Sequence, residues 1–569
     1  MILKIKTTTT AILLSIIFSF PRLSVPFMMN KNSINNMTRR LISLSKQQQQ
    51  QQSREKAIQL FSSSPLKIGD DTFRYVMAPM VGASDYAFRK LVRSYNYNND
   101  NNILSYTQML HSKMIVNDFY YRTNHFDFGS SPSKWNTRNY DDSNVPLLLE
   151  PQKKLLKGWI NNDKDEESNN NSINPTNNHD CGGGHPLIVQ LAGNDPSMIV
   201  DAARIVLDHA NNNDDNKIKE DEVVTGFDLN LGCPQSIARK GKYGAFLFEE
   251  DEDLVYRILQ QLRLSLPSSI KVSAKIRLPL NDDDNDTHQI LRERITKLIN
   301  IGGIDFLTIH GRTLKENKAY AGGCHYDSIR KAVEIAQSIQ PDFPVIANGG
   351  IETYNCLDRV LQQTSASAIM SSEALLETPD LFSPSFSSIE KQQQPFQFAK
   401  DYIQLCSIHP PLPGSFGRRN GSMTVVRNHL FYFLHRYIQD HPDLRLRLLR
   451  AVTLQDTVQL VRDLEQRINS DTINNNNKQQ QSQEEWSSSS WYRRHWNSTN
   501  NNDDNDIVRG LTNRHNSQNV YQGKREGSSS PVISMTLEEK KQKIKDRIQK
   551  LQKQKLKNKG VEEKSVLEL

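Results

Sequence analysis

Short apolar runs and helix-compatible segments alternate along the chain from Phe73 onward, and this alternation limits the fold more than any other feature. The apolar runs are rich in β-branched residues and predict strands at 74–78, 103–107, 187–191, 224–230, 270–276, 305–309, 344–347 and 367–370. Helix-compatible segments lie between them, among them 85–94, 196–209, 251–264, 287–300 and 328–339. The repeated strand–helix unit predicts an α/β protein, with a (β/α)8 TIM barrel over residues 61–390.

A doubly wound open sheet is the alternative architecture for this alternation. Neither a GxGxxG nor a GxxxxGK(S/T) motif follows any predicted strand, which counts against a dinucleotide-binding or P-loop sheet. Polar residues and glycines also cluster at the ends of the predicted strands. These residues are Pro79, Met80, Gln190, Asn230, Cys233, Lys275, Arg277, His310, Arg312, Asn348, Gly349, Gly350, Ser371 and Ser372. All strands of a barrel end at one face, so we predict the active site there.

Cys233 is the candidate catalytic residue in this set. Gly232 and Pro234 end the strand before it and predict a turn that leaves the thiol at the carboxyl end of the strand. A lone cysteine in a strand is more often a small buried hydrophobe, and that alternative stays open.

The last two predicted strands end in Gly349-Gly350 and Ser371-Ser372. Barrels commonly build a phosphate site at this position from backbone amides and helix N-termini. The phosphate of flavin mononucleotide (FMN) would fit there.

Asn, Gln and Ser tracts interrupt the chain and keep its hydrophobic content at 36%. They lie at 47–52, 96–102, 161–178, 211–216, 281–287 and 474–505. Such tracts bury too little apolar surface to offset their ordering entropy, so we predict disordered inserts. Five cysteines are scattered without a CxxC pair, which indicates a reducing compartment and argues against disulfides and a metal site. The net charge of +7 arises at the two chain ends, so an RNA partner would need a focused basic patch.

Residues 1–60 predict a targeting segment, because lysines precede a short apolar run and an acid-free stretch follows it. The run is too short to span a bilayer comfortably, so we expect no membrane span in the mature protein. We expect an intracellular protein that is imported into a mitochondrion or plastid. The alternative is a cytoplasmic protein with a later start at Met28, Met29 or Met37.

Beyond the barrel, residues 391–470 predict a small helical domain, in which Arg427 and Arg436 alternate with apolar residues. The domain is either an RNA-binding unit or a helical cap with a solvated charged face. A disordered linker is predicted at 471–535 and a Lys-rich helical tail at 536–569, where lysines at core positions argue against a coiled coil.

The motifs at the strand ends resemble those of the tRNA-dihydrouridine synthase family, and they are most similar to its eukaryotic branch that modifies positions 16 and 17 of the D-loop. The matching stretches are Ala78-Pro-Met80, Tyr106-Thr-Gln-Met-Leu-His111, Pro186-Leu-Ile-Val-Gln-Leu191, Asp228-Leu-Asn-Leu-Gly-Cys-Pro-Gln235, Tyr243-Gly-Ala-Phe-Leu247, Lys275-Ile-Arg277, Ile309-His-Gly-Arg-Thr313, Asn348-Gly-Gly350 and Met370-Ser-Ser-Glu373. The Gly-Cys-Pro-Gln stretch with its Tyr-Gly-Ala-Phe-Leu continuation is specific to that family, whereas the other motifs are shared with wider flavin barrels.

The resemblance implies a flavoenzyme in which hydride from reduced FMN reaches C6 of uridine and Cys233 donates the proton to C5. A thiol pKa of about 8.5 keeps such a donor protonated at neutral pH. By the same resemblance, Lys275 and His310 contact the flavin or uracil, Gln190 and Asn230 hydrogen-bond them, and Met80 packs on the ring.

The remaining expectations also follow from the resemblance. Arg277, Arg312, Arg427 and Arg436 are the expected tRNA contacts, and a structural, helix-capping role is the equal alternative for Arg312. NADPH or NADH is the electron donor, and the protein is expected to be a monomer without metal. Two other functions stay open at this point. One is a flavin barrel that reduces a free pyrimidine or dihydroorotate-like acid, and the other is a tRNA-binding or tRNA-folding factor without turnover.

Overall fold

The computed structural model describes residues 64–96, 102–128, 185–211, 222–280, 284–316, 323–383, 388–416, 421–474 and 490–493. The predicted targeting segment, the Lys-rich tail and most of the polar tracts lie outside the described residues. One tract differs from its prediction, because a helix begins at Asp284 inside the range 281–287.

The strands of the described chain form one sheet. They are β1 (Leu66–Ile68), β2 (Asp71–Met77), β3 (Asn102–Tyr106), β4 (Leu110–His111), β5 (His185–Ala192), β6 (Glu222–Leu231), β7 (Lys271–Arg277), β8 (Phe306–His310), β9 (Val345–Asn348) and β10 (Ala368–Ser371). Eight of them, β2, β3 and β5 to β10, pair in parallel in chain order. The sheet closes because β10 also pairs with β2, with Ile369 beside Tyr75. The predicted TIM barrel is confirmed, and each of the eight predicted strands is present.

Helices surround the barrel and continue beyond it. They are α1 (Tyr86–Asn96), α2 (Ser112–Asn117), α3 (Phe119–His125), α4 (Pro196–Asn211), α5 (Ser236–Lys240), α6 (Ala245–Glu250), α7 (Glu252–Ser265), α8 (Asp284–Asn300), α9 (Tyr326–Ile339), α10 (Tyr354–Thr364), α11 (Glu373–Glu377), α12 (Ser388–Ile408), α13 (Gly421–Phe433), α14 (His435–Ile438), α15 (Pro442–Arg450) and α16 (Leu454–Asn474). In the described chain, no helix is both long and apolar enough to cross a membrane.

The barrel interior is apolar at the end where the strands begin. Leu66 and Ile68 of β1 belong to the same apolar cluster as Phe73 and Phe306, so the short antiparallel strand β1 closes that end. Buried polar side chains lie further along the strands, including Gln190 and Asp228. The barrel is therefore plugged at one end and polar at the other, where the predicted site residues lie.

The helical region packs directly on α1 of the barrel. The imidazole of His429 on α13 stacks on Phe88 with ring centroids 4.3 Å apart, and its Nε2 lies 2.8 Å from Oδ2 of Asp85. The hydroxyl of Tyr402 on α12 donates to the other oxygen of Asp85 at 3.2 Å. These buried contacts fix the helices against the barrel.

Residues 490–493 pack against the helical region beyond the barrel. They fall within the range 471–535, which was predicted to be a disordered linker. Trp491 lies against Phe431, Tyr432 and His435, with ring centroids 5.6, 4.7 and 5.4 Å away. The backbone N–H of Tyr492 donates to Glu377 at the end of α11, 3.2 Å away.

Candidate active site

Asn230, at the carboxyl end of β6, fixes the turn that carries Cys233. Its Oδ1 accepts hydrogen bonds from the backbone N–H groups of Gly232 at 3.3 Å and Cys233 at 3.1 Å. Its Nδ2 donates to Oε1 of Gln190, the residue in the neighbouring strand β5, at 2.7 Å. Three of the predicted site residues are thus joined by direct hydrogen bonds.

The Cys233 thiol is half-buried, whereas Cys324, Cys356 and Cys406 are buried. This favours the turn-exposed arrangement over a purely packing role. Burial raises the pKa of the Cys233 thiol, and the backbone hydrogen bond from Gln235, with the nearby Arg277 and Lys275, offsets only part of that shift. The group is therefore a neutral thiol near pH 7, as a proton donor must be.

Gly244 is required for this turn, because its φ is +69° and a Cβ there would lie 2.8 Å from the carbonyl oxygen of Cys233. The next residue, Ala245, donates its N–H to that same oxygen at 3.2 Å. The Gly-Ala pair that opens α6 therefore packs on the backbone of the cysteine.

Lys275 of β7 donates from Nζ to Oδ1 of Asn348 at 2.9 Å, and Asn348 donates from Nδ2 to the carbonyl oxygen of Met370 at 2.8 Å. Burial and the adjacent Arg277 lower the pKa of Lys275 to about 8. Burial, with Arg277 next, also holds the pKa of His310 well below its usual range. At neutral pH the site therefore presents one ammonium group and one neutral imidazole.

The ends of β9 and β10 form a glycine cradle. Gly349 and Gly350 have φ values of +108° and +68°, and side chains there would collide with His310 and Tyr326. The Tyr326 hydroxyl lies 3.2 and 3.1 Å from the carbonyl oxygens of these two glycines. Ser371, 2% exposed, has a buried Oγ with no hydrogen-bond partner among the described residues. An orphaned hydroxyl beside a cradle without side chains fits a phosphorylated ligand such as FMN.

Pro79 and Met80 follow β2, and both are half-buried at the same face. The N–H of Met80 donates to Oγ of Ser84 at 2.9 Å, which shapes this loop. Ser372, also half-buried, immediately precedes α11.

The four predicted arginine contacts have different surroundings. Arg277 is 8% exposed and donates to the carbonyl oxygens of Gly232 at 2.8 Å and Thr313 at 2.9 Å, so it ties the cysteine turn to the loop after β8. Arg312 lies near Arg277, and its buried Nε has no hydrogen-bond partner in the described part of the chain.

The two arginines of the helical region are bonded within the protein. Arg427 donates to the carbonyl oxygen of Ala451 at 2.8 Å, and Arg436 pairs with Glu377 at 3.2 Å. Neither is placed by a described contact beside Cys233, and their role as tRNA contacts stays a prediction.

Sequence reasoning assigned no role to Asp228, Ser273 or Tyr326, which border the site. Asp228 had one usable signal, since it is a charged residue between the apolar Phe227 and Leu229 of a buried strand. Ser273 and Tyr326 gave none, because their positions depend on strand pairing and on where α9 begins. Across the described ranges, no group of three or more His, Cys, Asp or Glu side chains could hold a metal ion.

A family model described as "Dihydrouridine synthase (Dus)" matches residues 161–470. The Rattus norvegicus protein named tRNA-dihydrouridine(16/17) synthase (NAD(P)(+))-like is 30% identical over 404 residues, covering 70% of this chain and 68% of the relative. The Mus musculus protein of the same name is 30% identical, covering 70% of this chain and 63% of the relative. The Saccharomyces cerevisiae tRNA-dihydrouridine(16/17) synthase (NAD(P)(+)) is 27% identical over 381 residues, covering 67% of this chain and 69% of the relative.

Proposed function

The chain belongs to the dihydrouridine synthase family of oxidoreductases, and from that premise we propose that it reduces uridines 16 and 17 in the D-loop of tRNA to 5,6-dihydrouridine. The observation that carries the proposal is the neutral Cys233 thiol, held at the barrel mouth by Asn230 and beside the ammonium group of Lys275. A proton donor next to a cation suits the reduction of a carbon–carbon double bond that is conjugated to a carbonyl group.

FMN is the proposed cofactor, and NADPH or NADH is its proposed reductant. Its phosphate would lie on the Gly349-Gly350 cradle with Ser371 and Ser372, and its ring system near Gln190 and Lys275. The remaining proposed contacts are Pro79, Met80, Asn230, His310 and Asn348. When bound and reduced, FMN supplies a hydride for C6 of uracil.

The side chains of the protein complete the reaction. Cys233 gives its proton to C5, so that one hydride and one proton saturate the C5–C6 bond, and the thiol regains a proton from solvent. The charge on Lys275 stabilises negative charge as it develops on the neighbouring carbonyl oxygen. His310, neutral at pH 7, contributes a hydrogen-bonding group without a second positive charge.

The helical region is proposed to hold the tRNA while the target uridine enters the barrel. Arg447 and Arg450 on α15 are exposed, and contacts from such side chains to phosphates supply much of the affinity for nucleic acid. A uridine must leave its stack to reach Cys233, at a cost of a few kcal/mol that such contacts offset.

The test is incubation of the purified full-length chain with unmodified tRNA and NADPH, followed by mapping of dihydrouridine by mass spectrometry. We expect dihydrouridine at positions 16 and 17 with the native protein, and formation slower by about 10²- to 10⁴-fold with Cys233→Ala. A yellow protein that modifies no tRNA but reduces a free pyrimidine would replace this proposal. A colourless protein that binds tRNA without turnover would also overturn it.

A further inference from the structure

Asp228 lies inside the barrel and is completely buried. Its Oδ1 accepts a hydrogen bond from Oγ of Ser273 at 2.7 Å, and its Oδ2 accepts one from Nε2 of Gln190 at 2.8 Å. No described residue forms a salt bridge with it. A carboxylate in such a place destabilises the fold unless its hydrogen bonds compensate, so its presence needs an explanation.

Asp228 fixes which group donates and which accepts in each hydrogen bond of a chain of side chains. An ionised carboxylate only accepts, so the Gln190 amide must turn its NH2 group toward Asp228. The Oε1 of Gln190 then faces Asn230 and accepts from its Nδ2 at 2.7 Å. Oδ1 of Asn230 thereby faces the N–H groups of Gly232 and Cys233 and accepts a hydrogen bond from each, at 3.3 and 3.1 Å.

Reversal of either amide would break this arrangement. A flipped Gln190 would place an oxygen against the carboxylate and an NH2 group against the NH2 group of Asn230. A flipped Asn230 would place its NH2 group against two backbone N–H donors at the cysteine turn. Unpaired buried groups of this kind are strongly unfavourable, so one carboxylate selects the orientation of two amides.

We propose that Asp228 is a positioning residue, which acts through Gln190 and Asn230 to hold the Gly232–Cys233 backbone and so to fix the thiol at the barrel mouth. Its link to catalysis rests on the proposed function, because Cys233 is the proton donor only there. The orientation of the amides and the anchoring of the turn do not depend on the identity of the substrate.

The experiment compares Asp228→Asn with Asp228→Ala. The asparagine oxygen can still accept from Gln190 while its NH2 group donates to Oγ of Ser273, so the amide chain keeps its direction without the charge. Alanine removes both acceptors and releases Gln190. Ser367→Ala is the matched control, because it removes a buried hydroxyl that precedes β10, outside this hydrogen-bond chain.

The first readout is the rate at which iodoacetamide alkylates Cys233 in the full-length protein, resolved by peptide mass spectrometry. We expect Asp228→Ala to raise it about tenfold, the equivalent of one or two lost hydrogen bonds that anchor the turn. Alkylation of the buried Cys324, Cys356 and Cys406 should stay unchanged, whereas general loosening of the fold would raise all four. The native rate is expected for Asp228→Asn and Ser367→Ala.

The second readout is turnover of tRNA. With alanine we expect kcat to fall by about 10²-fold, the scale of a reacting group displaced by about 1 Å, with little change in KM. Asparagine should restore most of kcat. If the asparagine variant behaves like the alanine variant, or if alanine leaves Cys233 alkylation unchanged, the proposal is overturned.

Asp228→Val repeats the comparison if the alanine variant does not unfold cooperatively, since replacing a buried charge by an apolar side chain is often neutral for stability. Failure of the native protein to form dihydrouridine would refute the proposed function alone. The alkylation comparison needs no turnover and would still decide the role of Asp228.

Discussion

Lys275 donates a hydrogen bond to Asn348 across 2.9 Å, and the two residues belong to strands that are separated by β8 in the barrel. The contact spans the mouth between the cysteine side of the site and the glycine cradle. The ammonium group is thereby held between the position proposed for the uracil and the loops proposed for the phosphate.

The pKa of Lys275 predicts a pH limit on turnover. Burial lowers it to about 8, so the side chain loses its proton, and its charge, as the pH rises through that value. The pKa of Cys233 is raised, so the thiol remains a donor over the same range. We expect kcat to fall above about pH 8 in a pH–rate profile. Lys275→Met should turn over slowly at every pH and should not show this fall in kcat at high pH. If the fall is unchanged in the variant, another group causes it.

Cys233→Ala should lower kcat by about 10²- to 10⁴-fold, the usual contribution of a positioned general acid, because it removes the proposed proton donor. KM for tRNA should change little, since the thiol does not contact the tRNA backbone. Steady-state kinetics check this, with Cys356→Ala as the control that removes a buried thiol elsewhere. Equal losses in both variants would contradict the assignment.

Gly244→Ala should lower turnover by more than the loss of stability from backbone strain can explain. A Cβ at this position would lie 2.8 Å from the carbonyl oxygen of Cys233 and displace the turn. Gly69→Ala is the matched control, because Gly69 also has a positive φ, of +62°, with nothing within 4 Å of the added Cβ. Both variants should lose about 1–3 kcal/mol of stability from a side chain at positive φ, measured by urea unfolding. Only Gly244→Ala should lose turnover.

Glu222→Gln should destabilise the barrel by about 3–5 kcal/mol, because it leaves two buried guanidinium groups without their counter-charge. Glu222 bonds Arg89 at 2.5 Å and also pairs with Arg93, and all three side chains are buried. Chemical denaturation measures the loss. Breaking the exposed ion pair of Arg467 with Asp443 is the control, and it should change the free energy of unfolding by less than about 1 kcal/mol.

The same carboxylate predicts a loss of stability in acid. Burial opposes its ionisation, but Arg89 and Arg93 prevail and lower its pKa from 4.5 to about 2. A folded-state pKa below the unfolded value gives stability that is present above about pH 4.5 and is lost as the pH falls toward 2. Glu222→Gln should lack this component of the pH dependence when unfolding is compared over that range.

Trp491→Ala should release residues 490–493 from the helical region. The indole is 7% exposed and packs against Phe431, Tyr432 and His435. Removal of a buried tryptophan typically costs about 3–5 kcal/mol. A loss of that size should detach a packed segment of only four residues. Hydrogen exchange of Tyr492 and Arg493 should accelerate. Leu264→Ala, at a side chain that is 80% exposed, should leave their exchange unchanged.

The eight barrel strands could be predicted because each is a short apolar run whose signal is local. The short strand β1 could not, since three residues carry too little pattern and pair only when β2 is already in place. The helix α12 was also not predicted as an element, because Pro395 and the glutamines before it interrupt its apolar spacing. Packing of its second half on α1 outweighs that local preference.

For the site, the sequence by itself determined which residues reach the barrel mouth, because all parallel strands deliver their carboxyl ends to one face. It therefore identified Cys233 and Lys275 without knowledge of their contacts. Only the tertiary structure decided their states, because burial and neighbouring charges from other strands set the pKa of each group. Asp228 and Arg277 show the same division. Asp228 accepts a hydrogen bond from Gln190, and Arg277 donates one to the cysteine turn, and both contacts join different strands that the sequence does not show to be neighbours.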